Sequence, residues 1–205
     1  MNQTSSLRER KKNQTKQALI ESAYKLFEKH GFSKTSINDI TREANFAPRT
    51  FFLHFDSKED LLFPDEDLLV DSLTAALAER SSNDTALETL RVWAKEIVFQ
   101  KESGTSTKNI LRRKIIDSDK ALQARQRLNL NVIEDILANA IAFDMNVSIE
   151  QTQPRIVAAA TIAVFGMLDE FMGHNYQSEA ALEAIDVAID FLEGGLKSIN
   201  TNKNI

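Results

Sequence analysis

The residues with the most chemistry to offer lie within ten positions of one another. From 49 to 58 the chain reads RTFFLHFDSK. On a helix opened by Pro48, Phe51 and Phe55 stand four apart and share a face, so they can pack inward with Phe46 and Ala44. Arg49, Thr50, Leu53 and His54 fall on another face, with Phe52 on its flank. An exposed helix face carrying an arginine suits the major groove of duplex DNA, which admits a helix and presents base edges. There Arg49 can bond O6 and N7 of guanine, and Leu53 can touch a thymine methyl. Thr50 and His54 can bond bases or phosphates. Lys58 sits beside a helix N-terminus, where free backbone N–H groups already favour phosphate. Ser36, at the start of an earlier helix, and the basic residues of 8–12 are further phosphate candidates.

Other chemistries find little support. There is no cysteine, which removes disulfides, thiolate catalysis and cysteine-based zinc sites and fits a reducing cytoplasm. The three histidines, His30, His54 and His174, are far apart and lack H-x-x-x-H spacing, so no metal is expected. No G-x-G-x-x-G, P-loop or G-x-S-x-G occurs, and no cofactor is implied. Asp169 and Glu170 are adjacent, so on a helix they point about 100° apart and make a poor acid/base pair. An enzyme is not expected. The net charge is −5, but it is unevenly spread: residues 1–50 hold 10 Lys and Arg against 5 Asp and Glu, and residues 51–205 hold 15 against 25. A basic head on an acidic body is the asymmetry expected when one end meets an anion. Residues 1–15 are polar and basic, unlike a secretory leader. The longest uncharged run, 156–168, is 13 residues, short of the ~20 that a membrane span needs. No membrane partner is expected.

The elements that must position these residues read as helices. Gly and Pro are scarce, at 6 and 3, which suits long helices. A polar arm, 1–15, precedes a first helix from Lys16 with Leu19, Ile20, Ala23, Leu26 and Phe27 on one side, ending at Gly31 in the left-handed C-cap role. Ser36 and Asp39 form a capping box for a second helix running to about Ala44. Asn45 tolerates a left-handed turn, and Pro48 opens a third helix to about Phe55. This is a helix-turn-helix outline. The SKED of 57–60 reads as another capping box, with Pro64 kinking or splitting the helix it starts. Leu87, Leu90, Ala94 and Ile97 mark a further helix, 107–117 a short one, and 119–143 a long one carrying Leu130, Ile133, Leu137 and Ile141. Residues 153–173 are apolar almost all round, so cover on every side is expected. In the last helix Leu182, Ile185, Ile189, Leu192, Leu196 and Ile199 make one apolar row. Ala181, Ala184, Ala188, Phe191 and Gly195 make a second, opposite Glu179, Glu183, Asp186, Asp190, Glu193 and Lys197. Two rows beside an all-apolar helix favour a second subunit over a thick monomer core.

Residues 16–63 resemble the DNA-binding head of TetR-family transcriptional regulators. The matching pieces are LF-x-x-x-GF at 26–32, TS-I-x-DI at 35–40, A-x-F-x-PRTFF-x-HF at 44–55 and SKEDLL at 57–62. The resemblance implies an all-α homodimer with a three-helix helix-turn-helix domain at 12–72 and a larger ligand-binding and dimerisation domain at 73–205. The third helix would enter the major groove of a palindromic operator, and the last two helices would pair with their mates in a four-helix bundle. The partners implied are double-stranded operator DNA, a small-molecule effector and a second copy of the chain, in the cytoplasm. Departures from the family pattern are Asn45 where glycine is usual, Ala47 in place of a serine cap, Phe52 where tyrosine is frequent, and Leu53 at an often polar position. The large body residues Trp93, Phe143, Phe165, Phe171 and His174, with Phe99 and Met167, are core or pocket lining, and the sequence does not separate the two. A helical module that binds a small molecule or a protein, without reading DNA sequence, is the rival reading.

Overall fold

A computed structural model describes residues 7–64, 66–100, 105–171 and 179–201, with side chains throughout except at 100, 105, 106, 169–171 and 199–201. Contacts divide the described residues into two units, one within Met1–Pro64 and Leu111–Leu122, the other within Asp65–Ile110 and Gln123–Ile205. Among the described residues there is no strand, and no helix is long and apolar enough to cross a membrane.

The first unit opens with α1, Leu7–His30. It starts nine residues before the expected Lys16. The RERKKNQ of 8–14 is made mostly of straight-chain residues that lose little rotamer freedom in a helix, so the basic residues of 8–12 ride on a helix and not on a loose arm. Gly31 ends α1 at φ +83, as expected, and its N–H bonds Phe27 O at 2.9 Å. Helix α2, Ile37–Glu43, is started by the anticipated box: the Asp39 N–H donates to Ser36 Oγ at 3.2 Å and the Ser36 N–H to Asp39 Oδ2 at 3.1 Å. The Ser36 hydroxyl, which donates to Asp39 Oδ2, and then the Ser36 N–H hold the Asp39 carboxyl below its ordinary range. Asn45 takes φ 57 and turns the chain into α3.

Helix α3 is shorter than the spacing predicts, Pro48–Phe51. Ala47 provides no side-chain cap, so the helix has little to hold its N-terminus. It tightens into a turn in which the Leu53 N–H reaches Thr50 O and the His54 N–H reaches Phe51 O. The SKED stretch likewise starts only a 3-10 turn, Glu59–Leu62. Asp60 accepts the N–H groups of Asp56 and Ser57, both at 2.8 Å, but Pro64 separates the turn from α4. Leu19, Ala23, Phe27, Ile40, Phe51, Leu61 and Leu62 form the core of this unit. Ile115, Ile116 and Leu122 join it from far along the chain, a long-range packing that no local pattern announces.

The second unit contains α4, Glu66–Glu79, and α5, Ala86–Gln100. The chain continues through α6, Thr105–Asp117, which belongs to the first unit from Leu111 on, and α7, Lys120–Asp144, which belongs to the second from Gln123; α8, Thr152–Phe171, and α9, Glu179–Thr201, complete the second unit. Its core joins Leu73 and Leu77 of α4, Leu87, Leu90 and Ala94 of α5, and Leu137 and Ile141 of α7. Val157 of α8 and Ile185, Ile189 and Leu192 of α9 complete it. Leu130, expected on the α7 stripe, is exposed.

Polar clips tie these helices. Arg91 of α5 reaches Asp186 at 3.1 Å and Asp190 at 2.7 Å on α9, and Glu88 on its own helix at 2.8 Å. Lys95, the first cause, and Arg91 hold the Asp186 carboxyl low. Arg80, just past α4, pairs with Asp144 at the end of α7, with side chains 11% and 16% exposed.

The cover expected around α8 is one-sided within the chain: Ile156 and Met167 are 53% and 59% exposed. On α9 the two expected rows are divided differently. Ala181 and Ala188 are buried with Ile185, Ile189 and Leu192. The apolar side chains left outside are Val187 and Phe191, 63% and 70% exposed. Ala181 and Ala188 share the seam against the core with Ile185, Ile189 and Leu192, and Val187 and Phe191 stand outward.

Candidate nucleic-acid interface

The head presents a short rigid platform. Phe51 and Phe55 are buried, with ring centroids 5.3 Å apart, and Phe46 is partly buried against the same core. These rings fix α3 from behind. In front, Arg49 is exposed and has no ion pair among the described residues. Phe52 and Leu53 are 56% and 74% exposed, and Thr50 is half-buried. Three of the predicted reading residues, Arg49, Phe52 and Leu53, are therefore exposed around one turn, with Thr50 half-buried among them.

His54, Lys58 and Ser36 are placed otherwise than expected. His54 is half-buried, and its Nδ1 is buried without a hydrogen-bond partner among the described residues. Burial, reinforced by Lys12 and Lys16 of α1, depresses its pKa. The shortened α3 turns His54 off the outer face and toward α1. Lys58 donates to Phe32 O at 2.8 Å and Thr35 O at 3.0 Å, with its ammonium 4.2 Å from the centre of the Phe32 ring. Ser36 is exposed, but its hydroxyl donates to Asp39 Oδ2 at 2.5 Å while accepting the Asp39 N–H. Both Lys58 and Ser36 are engaged in holding the head together.

The structure adds residues that sequence reasoning passed over. Asn38, Arg42 and Asn45 line an open notch of about 480 Å³ together with Thr41, Phe46 and Pro48. The exposed side of α2 thus borders the first residue of α3. Arg42 is 74% exposed in its side chain and paired with Asp39 three residues before it. The available signal was the i, i+3 charge pair on a short capped helix next to an arginine-bearing one.

In the second unit, Trp93 and Phe165 are partly buried against the core. The Trp93 indole N–H donates to Ser72 Oγ at 3.1 Å. Phe143 does not line an interior: it is 81% exposed, with the Arg80 guanidinium 5.8 Å from its ring centre. Its neighbours Ile141 and Ala142 occupy the inward positions of α7's last turn. Phe99 is 81% exposed as well. Of the remaining candidates, His174 and the side chains of Asp169, Glu170 and Phe171 lie outside the described residues. Among the described residues no group of three His, Asp or Glu could hold a metal ion.

Comparison with known proteins agrees with this geometry. Residues 19–63 match the family described as bacterial regulatory proteins, tetR family. The HTH-type transcriptional regulator TcmR of Streptomyces glaucescens is 24% identical over 192 residues, covering 90% of this chain and 83% of the relative. The probable acrEF/envCD operon repressor of Escherichia coli K12 is 45% identical over 47 residues, 23% of this chain and 21% of the relative. Among solved structures, the SmeT–triclosan complex, SmeT being a repressor of Stenotrophomonas maltophilia, superposes with a TM-score of 0.63 at 16% identity. That match covers 88% of this chain and 90% of the other; at such identity it shows a shared fold. The capped α2, the left-handed Asn45 turn and the buried rings behind an exposed arginine lie inside the matched segment, so the head of this chain is similar to that of bacterial regulatory proteins of the tetR family.

Proposed function

We propose that the protein is a cytoplasmic, ligand-responsive transcriptional repressor that binds a palindromic operator as a homodimer. The observation that carries this reading is the head platform: Arg49, Phe52 and Leu53 stand exposed on a turn fixed from behind by the buried Phe51 and Phe55. Arg49 reads guanine and Leu53 meets a thymine methyl. Asn38 and Arg42 border the same notch from α2, and the basic residues of 8–12 on α1 supply phosphate attraction. Phosphate contacts set register and base contacts set sequence.

Dimerisation is supported by the apolar side chains left uncovered on α8 and α9, Ile156, Met167, Val187 and Phe191. A two-fold pair presents the same patch from each copy, and two heads then meet successive major-groove faces of a palindrome. A small-molecule effector is supported by the SmeT–triclosan complex, whose fold this chain shares. An effector that favours the body arrangement incompatible with the operator weakens DNA binding by the same factor that DNA weakens effector binding. The domain division of 12–72 and 73–205 belongs to this proposal, with Pro64 a pivot in the segment that runs on from Ser57.

The experiment is selection of bound fragments from a random duplex pool at about 150 mM salt, where purely electrostatic binding is suppressed. An enriched palindrome is expected. A folded dimer that enriches nothing, with or without hydrophobic effectors, would replace this reading by that of a helical binding module.

A further inference from the structure

The first unit hides most of its large apolar side chains. Among its described residues, those left exposed are Leu7, Phe52 and Leu53. Phe52 and Leu53 are neighbours, 56% and 74% exposed, and they leave the same turn as the exposed Arg49. Both are held in place. Phe52 is the C-terminal cap of α3, and its ring meets the buried Phe51 ring edge-on, with centroids 5.5 Å apart and planes at 79°. The Leu53 N–H is bonded to Thr50 O. Neither side chain carries a donor or an acceptor, so neither has anything to bond to a phosphate.

The base edges of a major groove are donors and acceptors, with a single apolar group among them, the C5-methyl of thymine. An apolar side chain laid on a donor or acceptor strips its water and returns no bond. Laid on a methyl, it gains by burial. We propose that Phe52 is a specificity-determining residue that works together with Leu53: the two read C5-methyl groups on neighbouring base pairs, so each operator half-site carries thymines at adjacent positions, on either strand. This deepens the DNA-binding reading and rests on it. What is sensed is the methyl and not the pyrimidine, because neither side chain can bond O4 of thymine or N4 of cytosine. The methyl of 5-methylcytosine is therefore felt as that of thymine is.

The test uses the full chain and the operator selected from the random duplex pool. Thymines are replaced one at a time by deoxyuridine, which lacks only the methyl. Binding is expected to weaken about fourfold at each of two neighbouring positions per half-site, the worth of one buried methyl. The dependence on salt should not change, since no phosphate contact is lost. Phe52→Ala should remove the penalty at one of these positions and Leu53→Ala at the other; both side chains are exposed, so folding is spared. With cytosine placed there, its 5-methyl derivative should bind about fourfold more tightly than cytosine itself. A palindrome without neighbouring thymines, replacements that cost nothing, or no gain from 5-methylcytosine overturns the proposal and leaves the DNA-binding reading standing. A uracil penalty that survives in the combined Phe52→Ala, Leu53→Ala variant also overturns it, because the methyls then act through DNA shape or another side chain. If no palindrome is enriched at all, the DNA-binding reading falls and takes this inference with it.

Discussion

Asp144 is the residue whose loss should be felt most in the second unit, because its carboxylate serves two groups at once. One oxygen pairs with Arg80 at 2.5 Å. The other accepts the N–H of Ala86, the first residue of α5, at 2.6 Å. As the last residue of α7 it has an open backbone, but its carboxylate is only 16% exposed and the Arg80 side chain 11%. Removing one partner of a buried pair leaves the other charged and unsolvated, at a cost of about 3–5 kcal/mol. Here the stranded guanidinium would retain a 3.5 Å approach to Ala140 O and the Phe143 ring 5.8 Å away, and its Nη1 already lacks a partner among the described residues. Losing the acceptor at the α5 N-terminus adds about 1 kcal/mol. Asp144→Ala should therefore cost about 4–6 kcal/mol, a large share of the roughly 5–15 kcal/mol that holds a typical domain folded. Urea unfolding followed by circular dichroism measures it. Arg80→Met combined with Asp144→Ala should recover part of the loss, because the stranded charge is gone, and the cycle isolates the pair. A loss below about 1.5 kcal/mol for Asp144→Ala, or strict additivity of the two substitutions, would refute the account of a buried, coupled pair.

Three further outcomes follow from features of the two units. Phe191→Glu places a charge in the uncovered row of α9, and the protein should sediment as a monomer at concentrations where the unsubstituted chain is a dimer; a dimer that persists would move the interface elsewhere. Arg49→Ala should cost about 1–3 kcal/mol on the selected operator and relax preference at one base pair, measured by competition between matched and singly mismatched duplexes. His54 has a folded pKa below its unfolded value near 6.5, so the unfolded chain binds more protons in that window. Its contribution is then fully present above about pH 6.5 and declines as pH falls toward the folded pKa. Melting temperatures from pH 5 to 7.5 should show this decline, and His54→Gln should flatten it.

Much of the head was legible because its signals are local. A glycine at a helix end, an asparagine in a left-handed turn and a serine three residues before an aspartate each declare a backbone state within one turn of chain. Gly31, Asn45 and the Ser36–Asp39 box took the expected states, and Phe51 and Phe55 faced inward as their spacing required. The partners of Lys58 were not legible because they lie more than twenty residues away, and charge beside a helix N-terminus says nothing of which acceptor is nearest. The length of α3 was overestimated because the uncapped Ala47 start weakened the helix more than the aromatic spacing suggested. Size alone makes Phe143 a pocket candidate, whereas α7's rotation gives the core to Ile141. On α9 the periodicity showed two apolar rows but not which of them the chain's own helices would claim. Hydrophobicity cannot distinguish a residue awaiting its own core from one awaiting another copy.

The bond between the Trp93 indole and Ser72 has a spectroscopic consequence. Trp93 is the chain's single tryptophan, so the protein's indole emission comes from one ring at the seam of α4 and α5. The Ser72 hydroxyl that accepts its N–H also donates to Leu69 O, one turn earlier on α4. A slide of α4 along α5 large enough to part Ser72 from the ring leaves that N–H to find water, and the emission shifts toward the red. The molecule thus carries an intrinsic optical gauge of α4, readable in a cuvette without label or substitution, against which effectors and duplexes can be titrated in the same sample.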